Sequence, residues 1–410
     1  MALRSMREST GGGHLVPRPH LDTRRARTNA GGTARYASFG LLSTYPPTQC
    51  GLASFAASLR GSLLAGRPGA EVGVVRMVDR AGAKPGAEVV YEMSADRHGD
   101  PALAAACLNR FDVAVVQHEY GIFGGPDGDQ VLEVLKRIRV PVIIVLHTVL
   151  SSPTAHQRYV LEATVALADV VVTMTRTGHR RLLAGYQVDG RKIVVIPHGA
   201  WAGGRPDPAP NRSGRPVVLT WGLLGPGKGV EWGIEALPGL RVLDPAPLYV
   251  VAGQTHPRVL ARDGERYRDS LRGRAAELGV ADMLRFEPGY LGVDRLRRLV
   301  QEADVVLLPY DSHEQVTSGV LIEAVASLTP VVATAFPHAR ELLADGVGLL
   351  VAHADPEAIG AALHRVLTEP AHAAAMVANA VRIARALQWP VVADRYREVA
   401  DALLRQVAAA

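Results

Sequence analysis

The sequence predicts an α/β protein made of two doubly wound domains, each with a parallel sheet, facing one another across a cleft. Three observations predict it. The chain has 410 residues, more than one ordinary domain takes. From Tyr36 onward short apolar runs alternate with helix-length segments, which is the grammar of β-α-β units. A stretch dense in Pro and Gly, "WAGGRPDPAPNRSGRP" (Trp201 to Pro216), interrupts that grammar, which then restarts.

The elements follow in order. "YASFGLLS" reads as a strand and "GLASFAASLRGSLL" as the helix after it. "EVGVVRM", "VAVVQHE", "VPVIIVLHT", "VVVTM" and "IVVIPHG" are further strands with helical segments between them. Beyond the break, "VVLTWGLL", "LYVVAGQ", "MLRFEP", "VVLLPY" and "PVVATAF" repeat the scheme. These readings give an N-terminal domain over 34–203, a linker over 204–215 and a C-terminal domain over 216–389. Residues 1–33 are rich in Gly, Arg, Pro and His without apolar periodicity, and are expected to be a disordered basic tail. In such sheets ligands bind beyond the C-terminal ends of the strands.

Composition narrows the function classes. The chain is 48% hydrophobic and 21% charged, a globular composition. Cys50 and Cys107 lie far apart, which suggests neither a disulfide framework nor a zinc site and fits a cytoplasmic protein. The longest apolar run, "VPVIIVL", is too short to span a bilayer. The net charge of +5 owes much to the tail, for example "RRAR" (Arg24 to Arg27). A solvated tail explains it, and attraction to an acidic membrane surface is the sharper alternative, giving peripheral membrane contact. No aromatic-plus-basic pattern of a nucleic-acid reader is present.

Three strand-loop-helix junctions carry chemistry. In "WGLLGPGKGVEW" a strand ends at Gly222, a Gly/Pro loop carries Lys228, and a helix starts near Val230. Glycines let amides approach an anion, the helix start favours negative charge, and the lysine adds a point charge for a phosphate. A solvated turn lysine explains this stretch equally. "EQVTSGVLIEAVA" repeats the design: Ser318, Gly319 and Val320 offer amides, and Glu323 sits one turn inside. A carboxylate there repels phosphate but accepts two hydrogen bonds from a diol, so the pair reads as an address for a nucleoside diphosphate. The competing reading is an exposed first-turn glutamate. Gly253 lies at the end of the next strand, "LYVVAGQ". In the first domain, "STYPPTQCGLASF" places Gln49 and Gly51 at a turn into a helix, and His118, Glu119 and His147 stand at strand ends. Each histidine is read equally well as a hydrogen-bonded structural residue. No HExxH or clustered carboxylates suggest a metal.

Together these stretches resemble the retaining glycosyltransferases of family 4, which have the GT-B fold of two Rossmann-like domains. The resemblance covers about residues 36 to 400. The family's phosphate loop G-R-L-x-P-x-K-G is similar to "GLLGPGKG", Gly222 to Gly229. Glu323 matches the second, ribose-binding carboxylate of its E-x7-E element, and Gln315 occupies the position of the first. "IPHGA" resembles the domain-linking segment, and Trp389 the tryptophan after which the chain crosses back, so a helix over 390–410 is expected to pack on the first domain. "YPPTQCGLASF", "QHEYGIFGG" and "LHTVL" look most like the mannosyltransferase-like branch. Two departures stand out: the phosphate-loop arginine is Leu223, and the first glutamate is Gln315 unless the loop shifts by one to bring in Glu314.

The resemblance implies a metal-independent, retaining hexosyltransferase of carbohydrate biosynthesis. It implies His147, Gln315 and Lys228 at the reacting centre; Glu323, Lys228, Ser318, Gly319, Val320, Gly222 and Gly253 on the donor; and Gly51, Gln49, His118 and Glu119 on the cleft and acceptor side. No cofactor is expected beyond the sugar nucleotide, GDP-mannose first and a UDP-hexose second. The acceptor is a carbohydrate, a lipid-linked sugar or a small molecule. A competing class is a degenerate GT-B protein that binds a nucleotide sugar or acts as a scaffold. A third is another GT-B enzyme, an epimerase or a phosphorylase.

Overall fold

The computed structural model describes residues 36–78, 86–94, 97, 99–201 and 214–409. The tail over 1–33 and most of the linker lie outside the described residues. Two all-parallel sheets organise the chain. The first contains β1 (Phe39–Ser43), β2 (Val72–Val78), β3 (Val89–Ser94), β4 (Val113–His118), β5 (Val142–Leu146), β6 (Val170–Thr173) and β7 (Ile193–Val195), in the order β3-β2-β1-β4-β5-β6-β7. The second contains β8 (Val217–Trp221), β9 (Leu248–Ala252), β10 (Leu284–Glu287), β11 (Val305–Leu308), β12 (Val331–Thr334) and β13 (Leu349–Val351), in the order β10-β9-β8-β11-β12-β13. Both sheets therefore reverse direction beside their first strand, at β1/β4 and at β8/β11, and a crevice opens at each reversal.

Central strands such as β5 (VIIVL) and β8 (VVLTW) are buried along their whole length. That is what helices on both faces of a parallel sheet require, and it explains why these runs read as continuous Val, Ile and Leu. Two strands escape the sequence reading, β3 (VVYEMS) and β13 (LLV). Both are edge strands and only partly buried; β3 mixes Tyr91 and Glu92 into its apolar residues, and β13 is only three residues long.

Apolar clusters fill both faces of both sheets. The cluster on one face of the first sheet is completed by the last helix, Trp389–Ala409, which packs along the helix Gly51–Leu64 through Trp389, Val392, Tyr396 and Ala400. The crossing back is fixed by backbone: Ala200 N–H donates to Leu387 O (2.7 Å), and Trp389 N–H donates to Ala200 O (2.9 Å). Gly199 makes room for it, since a Cβ there would stand 2.1 Å from the Trp389 ring. Among the described residues no helix is long and apolar enough to cross a membrane.

Candidate active site

The two crevices face each other and enclose a cavity of about 780 Å³, within the range of small-molecule sites. Its walls are the loops after β1 and β4 on one side and after β8 and β11 on the other. Cross-domain hydrogen bonds close its rim: Gln254 Nε2 donates to Gln49 Oε1 (2.8 Å), and the hydroxyls of Ser54 and Tyr290 pair at 2.8 Å.

The loop after β8 is built to bring backbone close to a ligand. Gly222 and Gly253 end adjacent strands with φ of 130° and 132°. A Cβ on Gly253 would lie 2.0 Å from Gly222 O, so no side chain fits. Gly229, with φ of 63°, opens the helix Val230–Leu240, and a Cβ there would strike Pro309 O at 1.8 Å. Between these glycines Lys228 enters the cavity with its ammonium 4.4 Å from the centre of the Tyr310 ring. Burial holds its pKa below the usual lysine value, and it forms no ion pair among the described residues. Leu223 also lines the cavity, which contains no arginine, so Lys228 is its one cationic side chain among the described residues.

The loop after β11 leads into the helix Gly319–Ala326, capped by the Ser318 hydroxyl, which accepts from Leu321 N–H. Here one expectation is corrected. The Ser318 amide is not free for an anion: it donates to His338 Nδ1 at 2.8 Å. His338 is buried and neutral, its pKa pushed down to about 3 mainly by burial, so Nδ1 can accept. The Gly319 and Val320 amides have no acceptor among the described residues and line the cavity. One turn on, the Glu323 carboxyl lines the same cavity without a hydrogen-bond partner among the described residues. Burial pushes its pKa up to about 8, against a partial pull downward from Arg297.

Gln315 lines the cavity, and its Nε2 donates to Thr317 O. Glu314 lines the cavity beside it, but its carboxylate is already engaged. Glu314 accepts from Ser151 N–H (2.9 Å), the Ser151 hydroxyl (2.5 Å) and Arg181 (2.9 Å), which ties its carboxylate to the first domain.

On the first-domain side Gly51 and Glu119 line the cavity. Nothing stands within 4 Å of a Cβ built on Gly51. Glu119 accepts from Thr148 Oγ1 (2.5 Å) and Tyr120 N–H (3.0 Å), while burial raises its pKa. His147 lines the cavity with Nε2 2.6 Å from Gln117 Oε1. Burial first, then His198 and His118, hold its pKa at about 3. The neutral ring donates from Nε2 to Gln117 and leaves Nδ1 as an acceptor. Two expectations differ. His118 does not line the cavity: strand alternation turns it away from Gln117's face, and it packs edge-on against Tyr120. Gln49 meets the cavity only through its bond to Gln254.

Sequence reasoning misses His198, although "IPHGA" contains it. It is half-buried and neutral, its pKa lowered to about 4 by desolvation. A Cβ on Gly319 would meet its Nε2 at 2.8 Å, which explains a glycine at the helix start. Phe55 meets His147, His198 and Trp389 edge-on, with ring centres 5.1, 5.0 and 4.9 Å away, and so links the cavity floor to the C-terminal helix. The signal for this cluster is tertiary, because its members come from distant segments.

The family described as "Glycosyl transferases group 1" matches residues 206–382, the second domain. Among curated proteins the chain is similar to the D-inositol 3-phosphate glycosyltransferase of Thermomonospora curvata, 32% identical over 255 residues and covering 58% of each chain. It is also similar to that of Acidothermus cellulolyticus, 33% identical over 281 residues and covering 62% of this chain and 60% of the relative. The chain spans about three fifths of the length of the curated relatives it matches. Among solved structures it is similar to Anabaena HepE in complex with UDP-glucose, 18% identical with a TM-score of 0.67, covering 89% of this chain and 99% of that one. It is likewise similar to a sucrose-phosphate synthase of Thermosynechococcus elongatus, 18% identical with a TM-score of 0.72, covering 90% and 100%. These structural likenesses show the fold, and the architecture is that of the GT-B proteins: two doubly wound α/β domains about a central cleft.

Proposed function

We propose that the chain is a retaining glycosyltransferase that moves a hexose from a nucleoside diphosphate sugar to a hydroxyl acceptor. One observation carries the reading. A single cavity presents an ammonium, two helix-start amides and, one turn along, a carboxyl, all without a hydrogen-bond or ion-pair partner among the described residues. The first two suit a diphosphate, and the third suits a ribose diol.

In this reading Lys228 and the Gly319 and Val320 amides hold the donor diphosphate and stabilise the charge that grows on it as the glycosidic bond breaks. Preorganised positive charge then serves where other enzymes use a metal ion. Glu323 accepts from the ribose hydroxyls. Gln315 and the Nδ1 acceptor of His147 face the sugar, and Gly51 leaves the floor open for the acceptor. No side chain stands as a nucleophile in this scheme, so the acceptor attacks from the leaving-group face and gives its proton to a donor phosphate oxygen. Rate comes from positioning and electrostatics.

The GDP-mannose choice rests on the mannosyltransferase-like motifs of the first domain. The complexes of Anabaena HepE with UDP and with UDP-glucose support a UDP-hexose instead. Calorimetry of GDP, UDP and ADP with their sugars separates these donors, and binding of none of them refutes the proposal. A second reading, a degenerate nucleotide-sugar binder or scaffold, is favoured by Leu223 and by the diversion of Glu314 to Arg181. Slow hydrolysis of the bound donor distinguishes the enzyme from the binder.

A further inference from the structure

A second cavity, of about 870 Å³, lies beyond the Arg181–Glu314 bridge, outside the one just described. The start of the helix Arg176–Gly185 in the first domain forms one wall. The helix Pro337–Leu342 and His313 of the second domain form the other. Four guanidinium groups line it, those of Arg176, Arg180, Arg181 and Arg340. Arg181 is neutralised by Glu314. Among the described residues the other three have no carboxylate within ion-pair distance. Among the same residues Arg180 donates only to Thr177 Oγ1 (3.2 Å) and Arg340 only to Ala335 O (2.7 Å).

The groove holds one carboxylate of its own, and that group shows what the site favours. Glu341, from the second domain, accepts from the amides of Arg176 (2.8 Å) and Thr177 (2.7 Å), so an anion already sits on this helix start. Both its oxygens are thereby engaged with backbone, and it neutralises none of the guanidinium groups. Three exposed guanidinium groups without a carboxylate partner among the described residues give this concave space a positive potential that favours a multivalent anion. Guanidinium geometry matches phosphoryl oxygens two at a time.

We propose that this groove binds a phosphoryl group, separately from the diphosphate of the donor. Its walls come from both domains, so an occupant draws them together. The link to the first cavity is covalent and short: His313 faces the groove, Glu314 makes the bridge, and Gln315 faces the donor cavity. Binding in one site therefore strengthens binding in the other, by the same factor in each direction. The phosphoryl group belongs either to the acceptor itself or to a separate effector.

The probe is inorganic pyrophosphate, titrated calorimetrically at fixed ionic strength. Wild-type protein binds two equivalents, one at Lys228 and one in the groove. Lys228→Ala protein keeps one, and adding Arg176→Ala with Arg180→Ala removes that one. Both arginines are exposed, so a melting temperature close to that of the parent confirms that the fold is intact. The proposal is overturned if Lys228→Ala protein binds no pyrophosphate, or if the arginine substitutions leave its binding unchanged. Neither result touches the donor site, which Lys228→Ala reports separately. Inorganic phosphate then identifies the source, an arm that rests on the proposed transferase reading. If phosphate speeds donor hydrolysis in wild type but not in the double arginine variant, the site serves an effector. If hydrolysis is unchanged in both although phosphate binds the groove, the coupling between the two sites is overturned, and the phosphoryl group is left as the acceptor's own.

Discussion

Replacing Glu323 by Gln should change stability and donor affinity in opposite directions. The folded, ligand-free chain holds the Glu323 carboxyl at about 8, against 4.5 for a free glutamate, because burial disfavours the charged form. A raised acid pKa means that the folded state resists ionisation. Its contribution is intact below pH 4.5 and is lost progressively as pH rises toward 8. At about 1.4 kcal/mol per pH unit, the loss reaches about 3 kcal/mol at pH 7. The amide of the variant has nothing to ionise, so the stability of Glu323→Gln protein relative to wild type should grow by about that amount between pH 4.5 and pH 7. Binding has the other sign. Ribose hydroxyls donate to the ionised form, whose fraction in the free protein climbs from roughly 1% at pH 6 to about half at pH 8. Wild-type affinity for an intact sugar nucleotide should therefore rise with pH, by up to roughly 50-fold across that interval. In Glu323→Gln that rise should disappear, and binding at pH 8 should weaken by about 1–3 kcal/mol. The assays are thermal unfolding of the free proteins from pH 5 to 8, and calorimetry with GDP-mannose and UDP-glucose, whose phosphates do not titrate there. An equal stability gap at pH 5 and pH 8 would refute the argument, because Glu323 would then titrate as an ordinary exposed carboxylate.

Four further outcomes are expected. Lys228→Ala should weaken nucleoside diphosphate binding by about 1.5–3 kcal/mol, the scale of a charge-assisted hydrogen bond, and unchanged affinity by calorimetry counts against the donor assignment. Gln315→Ala should leave free nucleotide binding within about twofold while lowering kcat or affinity for the intact donor; the reverse pattern would place Gln315 on the nucleotide. Activity should survive EDTA, and a loss restored by Mg²⁺ or Mn²⁺ would mean that an ion neutralises the leaving diphosphate. Gly253→Ala should destabilise the second domain by at least about 2 kcal/mol in urea unfolding, because its Cβ meets Gly222 O at 2.0 Å and its φ is 132°.

The sequence is most legible where one strand and its own loop carry the information. The central strands announce themselves as buried apolar runs, and the glycines around Lys228 and Ser318 mark the two loops that face the cavity. The edge strands β3 and β13 do not: Tyr91 and Glu92 break the apolar run of β3, and β13 has three residues, too few to stand out. Distance along the chain hides the rest. His338 takes the Ser318 amide from the far side of β12, and Arg181 claims Glu314 from the other domain. Sequence reasoning misplaces His118 because its orientation depends on which face of β4 opens to the cleft, and a strand buried on both faces gives no pattern to decide that.

The return of the last helix onto the first domain has a consequence for biosynthesis. Phe55 and the helix that carries it are covered by Trp389, Val392 and Tyr396, residues that leave the ribosome after the whole second domain. While that domain is being made, the first presents an apolar strip where those side chains will sit, and a chaperone has a defined place to bind. A fragment ending near residue 201 should remain in that state, and a peptide of residues 389–409 supplied in trans should rescue its solubility.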